Sequence, residues 1–507
     1  MNRRDFLLKS LSASVALTLV GCGKTQTSGE HASMPGMADK NAGAQATQAL
    51  AALAALPQGL PLQGLPLLAN QSMAENTFKA TLTAAPMQYE IIAGKPTEVW
   101  AYNDSRTPLL IELVEGMTVE IELVNQLSQP TTLHWHGLPV PPEQDGGPME
   151  AVPPNGKRTY TFTLPDDCAG TYWFHPHPHH VTHEQVFRGL AGALIVRPRT
   201  PDALAQLPET HVFVTDLKLN ADGSIAQNDV NDDMNGREGQ FLLVNGQYQP
   251  TLDLNEATRL RVWNCTNARF LNLQLQSNAA STVALTQIGT DGGLLTTAQT
   301  HSELLLAPAE RAELLLNPTS SQATTLKLNA AAYNQGKMGM VQATPASTLV
   351  DLTLAGTAFK LPRALRTIAP LGDAVHQQRV VMSETMSMAN GVHDMKFFIN
   401  DQQFDMNRVD FNSVLGVVEE WTVDNTSDMD HPFHIHGGQF QPIGRAWLDA
   451  TKGAPTQYAP SWKDVINVRS GESVRFKMRQ IHKGVRMLHC HILEHEDAGM
   501  MANVHVV

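Results

Sequence analysis

The chain has 507 residues, enough for several buried cores and more than one ordinary domain. Its formal charge of -13 leaves no broad basic surface, which argues against nucleic acid as a partner.

Residues 1–22 read as an export signal, because Arg3-Arg4 precedes an apolar run at 11–20 that is too short for a membrane span. The stretch Arg3-Arg4-Asp5-Phe6-Leu7-Leu8-Lys9 resembles a twin-arginine signal, and Leu19-Val20-Gly21-Cys22 resembles the cleavage box of bacterial lipoproteins. Together they imply a protein of the bacterial periplasm or cell envelope, anchored through a lipidated Cys22. The alternative is an ordinary signal from which Cys22 is discarded.

Residues 23–76 are rich in Ala, Gln, Gly and Pro with little alternation, and read as a flexible tether with one helical stretch at 48–56. His31, Met34 and Met37 fall in it and read as solvated linker residues rather than a copper site.

From residue 77 onward short strand-like runs dominate, such as Leu109-Leu110-Ile111-Glu112-Leu113 and Thr118-Val119-Glu120-Ile121-Glu122-Leu123. Long amphipathic helices are scarce, so the fold class is all-β, built of antiparallel sandwiches or barrels. Residues 116–137 and 416–437 each run from a glycine through a strand into His-x-His-Gly, and 156–177 and 471–491 each run from a turn into a His-x-His pair. This repetition implies duplicated modules at 77–200 and 376–507. Between them, residues 208–365 carry similar strands, such as Arg259-Leu260-Arg261-Val262-Trp263, but no ligand motif, and are expected to space and support the other two.

Four pairs carry the chemistry: His134-Trp135-His136, His175-Pro176-His177, His434-Ile435-His436 and His489-Cys490-His491. A composition with 20 histidines predicts roughly one such pair. In a strand, alternate side chains share a face, so each pair aims two imidazoles one way while Cys490 points the other. Around that cysteine, His431, His495 and Met500 complete two imidazoles, a thiolate and a weak thioether. That is the ligand set of a blue-copper electron-transfer centre, whereas a structural zinc site does not want a lone Cys with an axial Met.

With the motifs Thr132-Leu133-His134-Trp135-His136-Gly137, Trp173-Phe174-His175-Pro176-His177, His431-Pro432-Phe433-His434-Ile435-His436-Gly437 and the run from His489 to Met500, the chain resembles a three-domain, laccase-like multicopper oxidase. The resemblance implies three cupredoxin-like Greek-key domains and four copper ions, with dioxygen as electron acceptor. It assigns the type 1 copper to His431, Cys490, His495 and Met500, and the type 2 copper to His134 and His434. One type 3 copper falls to His136, His175 and His491, the other to His177, His436 and His489. Asp145 and Glu496 match acids that such enzymes place behind their ligand rings and in proton relay. His179, His180 and His183 extend the second motif, but every ligand place is already filled.

The donor is less legible. Asp428 and Met429 stand just before Asp430-His431, and Met382, Met386, Met388 and Met395 lie nearby. Thioethers suit Cu(I), and the chain resembles periplasmic copper-efflux oxidases, which oxidise Cu(I) and serve copper tolerance. The long Met- and His-rich insertion typical of those enzymes is reduced here to the methionines of 382–395, so a laccase acting on phenols or aromatic amines stands as the alternative. A copper-binding or envelope-assembly protein without turnover is disfavoured because Cys490 and all ten ligand histidines are retained. Cys168 and Cys265 are left as either a disulfide or two separate buried thiols.

Overall fold

The computed structural model describes residues 48–507, apart from 279, 280, 340, 390 and 391. The export and lipidation readings, with Cys22, and the linker residues His31, Met34 and Met37 lie outside the described residues.

Among the described residues strand alternation builds six sheets, which share three main cores in pairs. Thr118–Asn125 shows how: Val119, Ile121 and Leu123 are buried and alternate with half-buried polar residues. They join Trp135, Tyr160 and Phe174 in the core of the first sandwich. One of its sheets orders Lys95–Tyr102, Thr77–Ile92, Thr118–Asn125 and Lys157–Thr163. The other orders Leu110–Val114, Gly192–Arg197, Gly170–His175 and His134–His136.

The third sandwich repeats the scheme. His376–Ala389 pairs parallel with Glu419–Asn425, as Thr77–Ile92 does with Thr118–Asn125. Phe411–Ser413 pairs parallel with Met501–Val506, as Leu110–Val114 does with Gly192–Arg197. These parallel neighbours are distant in sequence, so the chain crosses between sheets instead of meandering. The middle sandwich, with strands from Glu209–Leu217 to Ser347–Leu354, closes over a core of leucine and valine.

Residues 48–76, expected as tether, lie along the sandwiches. The Ala51 amide donates to Leu219 O at 2.9 Å, Leu62 to Thr251 O at 2.8 Å and Leu68 to Leu110 O at 2.8 Å. Ala51, Leu56, Leu65 and Leu68 are buried. Only one short turn, Leu53–Ala55, forms where a helix was expected, because Pro57, Pro61 and Pro66 favour an extended path whose amides neighbouring strands satisfy. Cys168 and Cys265 are two separate buried thiols, in different core clusters.

Candidate metal centre

Register decides where each ligand points. His134 pairs with His175 and His434 with His489, while Phe433 faces Cys490 across the next step of the ladder. Alternation sends Trp135 and Phe174 into the first core, and Phe433 and Cys490 into the third. The histidines occupy the opposite faces, and all eight paired rings are buried and gathered where the two sandwiches meet.

Most of these rings are tied by one nitrogen and free at the other. His134 Nδ1 donates to the Asp145 carbonyl at 2.8 Å, His434 Nδ1 to the Asp464 carbonyl at 2.7 Å and His175 Nδ1 to the Pro176 carbonyl at 2.8 Å. Their Nε2 atoms are buried without a partner among the described residues. His136 is reversed: its Nε2 meets the Asp464 carboxylate at 3.1 Å and its Nδ1 is orphaned. Both nitrogens of His491 are unpartnered. His489 Nε2 lies 3.2 Å from Nε2 of both His177 and His436.

Burial and neighbouring rings hold His136, His175, His434, His436 and His491 well below the usual imidazole range, and burial pushes His177 down to about 3. Those six rings are therefore neutral, with lone pairs converging on one space. Buried polar atoms normally find partners, so a set of orphaned nitrogens and facing lone pairs fits bound cations. The donors fit three coppers.

Asp145 and Glu496, named from sequence, both touch these rings. The Asp145 carboxylate accepts from His436 Nδ1 at 2.8 Å, and the same residue's carbonyl holds His134. Glu496 is fully buried, 3.1 Å from His489 Nδ1 and 3.5 Å from His177 Nδ1, with no aligned hydrogen bond to either oxygen.

Behind the same strand, His431 Nδ1 lies 3.4 Å from both Cys490 Sγ and His495 Nδ1. His495 Nε2 donates to the Met234 carbonyl at 3.1 Å, which leaves Nδ1 to face the sulfur. Met500 is fully buried in the same cluster. Its carbonyl accepts from the Cys490 amide at 3.0 Å, and its amide donates to His495 O at 2.9 Å. Burial pushes the Cys490 thiol well up, so a thiolate there calls for a cation at the sulfur. A soft N₂S set with a nearby thioether fits copper.

His183, outside both sets, donates through Nδ1 to Asp497 at 2.6 Å; although burial opposes it, that carboxylate raises the imidazole to about 9. His180 meets the Asp497 carbonyl at 3.0 Å. Of the donor residues named from sequence, Asp428 is exposed, while Met429 is fully buried in the cluster of Cys490 and Met500. Other residues with no sequence motif also touch ligand rings: Asp464, Met234 through its carbonyl, Phe397, whose ring stacks on His495, and Glu384, whose Oε2 is 3.5 Å from His431 Nε2.

Family models described as multicopper oxidase match residues 83–201 and 379–507. A multicopper oxidase of Staphylococcus epidermidis is 31% identical over 456 residues, covering 87% of this chain and 91% of its own length. Among solved structures, a multicopper oxidase of Campylobacter jejuni described as a metallo-oxidase is 40% identical, with a TM-score of 0.85, and the match covers 91% of this chain and 98% of that one. A multicopper oxidase of Pediococcus acidilactici is 32% identical with a TM-score of 0.74, over 92% and 95% of the two chains.

Proposed function

The chain belongs to the multicopper oxidases, and on that premise we propose that its electron donor is Cu(I), taken up beside His431 and oxidised in support of copper tolerance. The protein is a three-domain, cupredoxin-like oxidoreductase of the kind that carries type 1, type 2 and type 3 coppers; when bound, these would supply one-electron oxidation of a donor and four-electron reduction of dioxygen to water.

The protein's own groups supply the path and the protons. Cys490, the last residue of the strand Gly484–Cys490, sits between His489 and His491 in the chain, so its sulfur and the two imidazoles are joined by a few covalent bonds. Asp145 orients His436 and His134. Glu496, with no donor fixed on either oxygen, can hold a proton on Oε1 or Oε2 between His177 and His489.

The observation that carries the Cu(I) reading is one face of the hairpin His376–Ala389 and Val392–Ile399. Met382, Glu384 and Met386 alternate on that face, and their exposure runs outward: Met382 is fully buried, Glu384 nearly so, and Met386 is 54% exposed. Met395 is directly opposite Met386. Glu384 Oε2, unpartnered among the described residues, faces His431 Nε2, and Oε1 accepts from the Asp428 amide at 3.1 Å. Thioethers at the solvent end suit Cu(I), and a carboxylate beside the type 1 histidine favours the ion as its charge rises. On this reading donor contact falls to Glu384, Met386 and Met395, beside Asp428. Met429, named with Asp428 from sequence, is sealed in the core and serves packing.

Replacing Met386 and Met395 together by leucine keeps volume and removes both sulfurs. We expect kcat/KM for Cu(I) to fall about tenfold, with oxidation of a bulky phenol unchanged within about twofold and the blue absorption intact. Equal effects on the two donors, or none on Cu(I), favour the laccase reading. The proposal places the protein in the bacterial envelope, lipid-anchored through Cys22, and a mass spectrum of the mature amino terminus decides between an acylated cysteine and a soluble form.

A further inference from the structure

The middle sandwich contributes no copper ligand, yet a side chain from it lies one residue away from two of them. Arg311, on the strand Arg311–Leu316, is fully buried. Its guanidinium donates from Nε to the Thr171 carbonyl at 2.6 Å, from Nη1 to Asp464 Oδ1 at 2.6 Å and from Nη2 to Asp464 Oδ2 at 2.5 Å. Thr171 belongs to Gly170–His175 in the first sandwich, the strand that ends in a ligand. Asp464 belongs to the third. One planar fork therefore joins all three sandwiches, and its bidentate geometry fixes direction as well as distance.

Asp464 passes that constraint on. Its Oδ1 meets His136 Nε2 at 3.1 Å and its main-chain carbonyl accepts from His434 Nδ1 at 2.7 Å. The two rings come from different sandwiches and stack with centroids 3.9 Å apart and planes 17° apart. By the motif assignment His136 serves a type 3 copper and His434 the type 2 copper. The approach is close enough that a Cβ at Gly137, whose φ is +85°, would run into the Asp464 carboxylate. Asp464 is held from behind as well: Asp291 accepts from the Asp464 amide at 3.3 Å and from the Arg311 amide at 2.7 Å, and its carboxylate pairs with Lys463 at 2.9 Å.

We propose that Arg311 is a positioning residue for the three-copper site: by clamping Asp464 against Thr171 it sets the separation and tilt of His136 and His434, so the middle sandwich tunes a metal site to which it gives no ligand. This holds whichever donor the enzyme uses. The type 1 ligands lie on the opposite face of the third sandwich's sheet and make no hydrogen bond to this network among the described residues.

The test compares Arg311→Met and Arg311→Lys in the copper-loaded full chain. Methionine removes fork and charge, whereas lysine keeps the charge and loses the bidentate fit. Loss of a partner behind a ligand ring typically costs about 10–100-fold in metal affinity. We expect folded Arg311→Met to retain its blue absorption while type 2 copper, titrated out with a chelator, leaves at about 10–100-fold lower chelator concentration. Arg311→Lys should keep its coppers and show a shifted type 2 electron paramagnetic resonance spectrum. If Arg311→Met does not fold, the lysine spectrum decides alone. An unchanged type 2 spectrum in Arg311→Lys overturns the proposal, as does a parallel loss of blue and type 2 signals, which marks a general packing defect.

Discussion

Cys490→Ser should abolish both the blue absorption and turnover, while leaving the fold in place. The sulfur is fully buried among Phe433, Ile492 and Met500, and serine is slightly smaller, so the core loses little packing. What goes is the one soft anionic donor of the set. A hydroxyl at this position is neutral and hard, and His431 and His495 alone do not make a site that favours copper over other divalent ions. His489 and His491 remain on either side of the replaced residue, so the three-copper donors persist without an electron entry. Turnover should drop by about three orders of magnitude or more. Absorption spectroscopy and an oxygen electrode check this together, and near-normal rates in the serine variant would refute the assignment of Cys490.

His134→Ala should produce the opposite dissection, a blue protein that does not reduce dioxygen. The ring stacks on His436 with centroids 4.0 Å apart, its Nδ1 is tied to Asp145 and its Nε2 faces the other ligand nitrogens. Removing it deletes half of the histidine pair assigned to the type 2 copper. The type 1 donors lie on the far face of another strand, so their absorption should be unaltered. Oxygen uptake should fall by about two orders of magnitude or more, and the type 2 resonance should vanish. Normal uptake would show that His134 has no such role.

The copper-binding pattern was legible because strand alternation alone converts His-x-His and His-Cys-His into faces, and both sandwiches keep that alternation through the ligand strands. Asp145 and Glu496 could be named for a related reason: each is fixed by distance along the chain from a ligand, and each touches ligand rings. Asp464 is separated from His136 by 328 residues, and Arg311 from Asp464 by 153, so only packing of three sandwiches joins them. In sequence Arg311 looks like any residue of a strand, and nothing local signals that Arg311–Leu316 is buried throughout. Glu384 was hidden among methionines that drew attention to themselves. Residues 48–76 misled by composition, since the backbone hydrogen bonds that pin Ala51, Leu62 and Leu68 leave no trace in side-chain pattern.

Electron counting against oxygen, with Cu(I) supplied as the sole donor to the copper-loaded enzyme, separates a four-electron cuprous oxidase from a phenol-oxidising laccase. Four Cu(I) should be oxidised for each dioxygen consumed, without hydrogen peroxide appearing, as the blue centre and the three-copper donor set together require. A ratio near two with peroxide released would exclude four-electron reduction of dioxygen, and no enzyme-dependent Cu(I) oxidation beside rapid phenol oxidation would exclude Cu(I) as the donor.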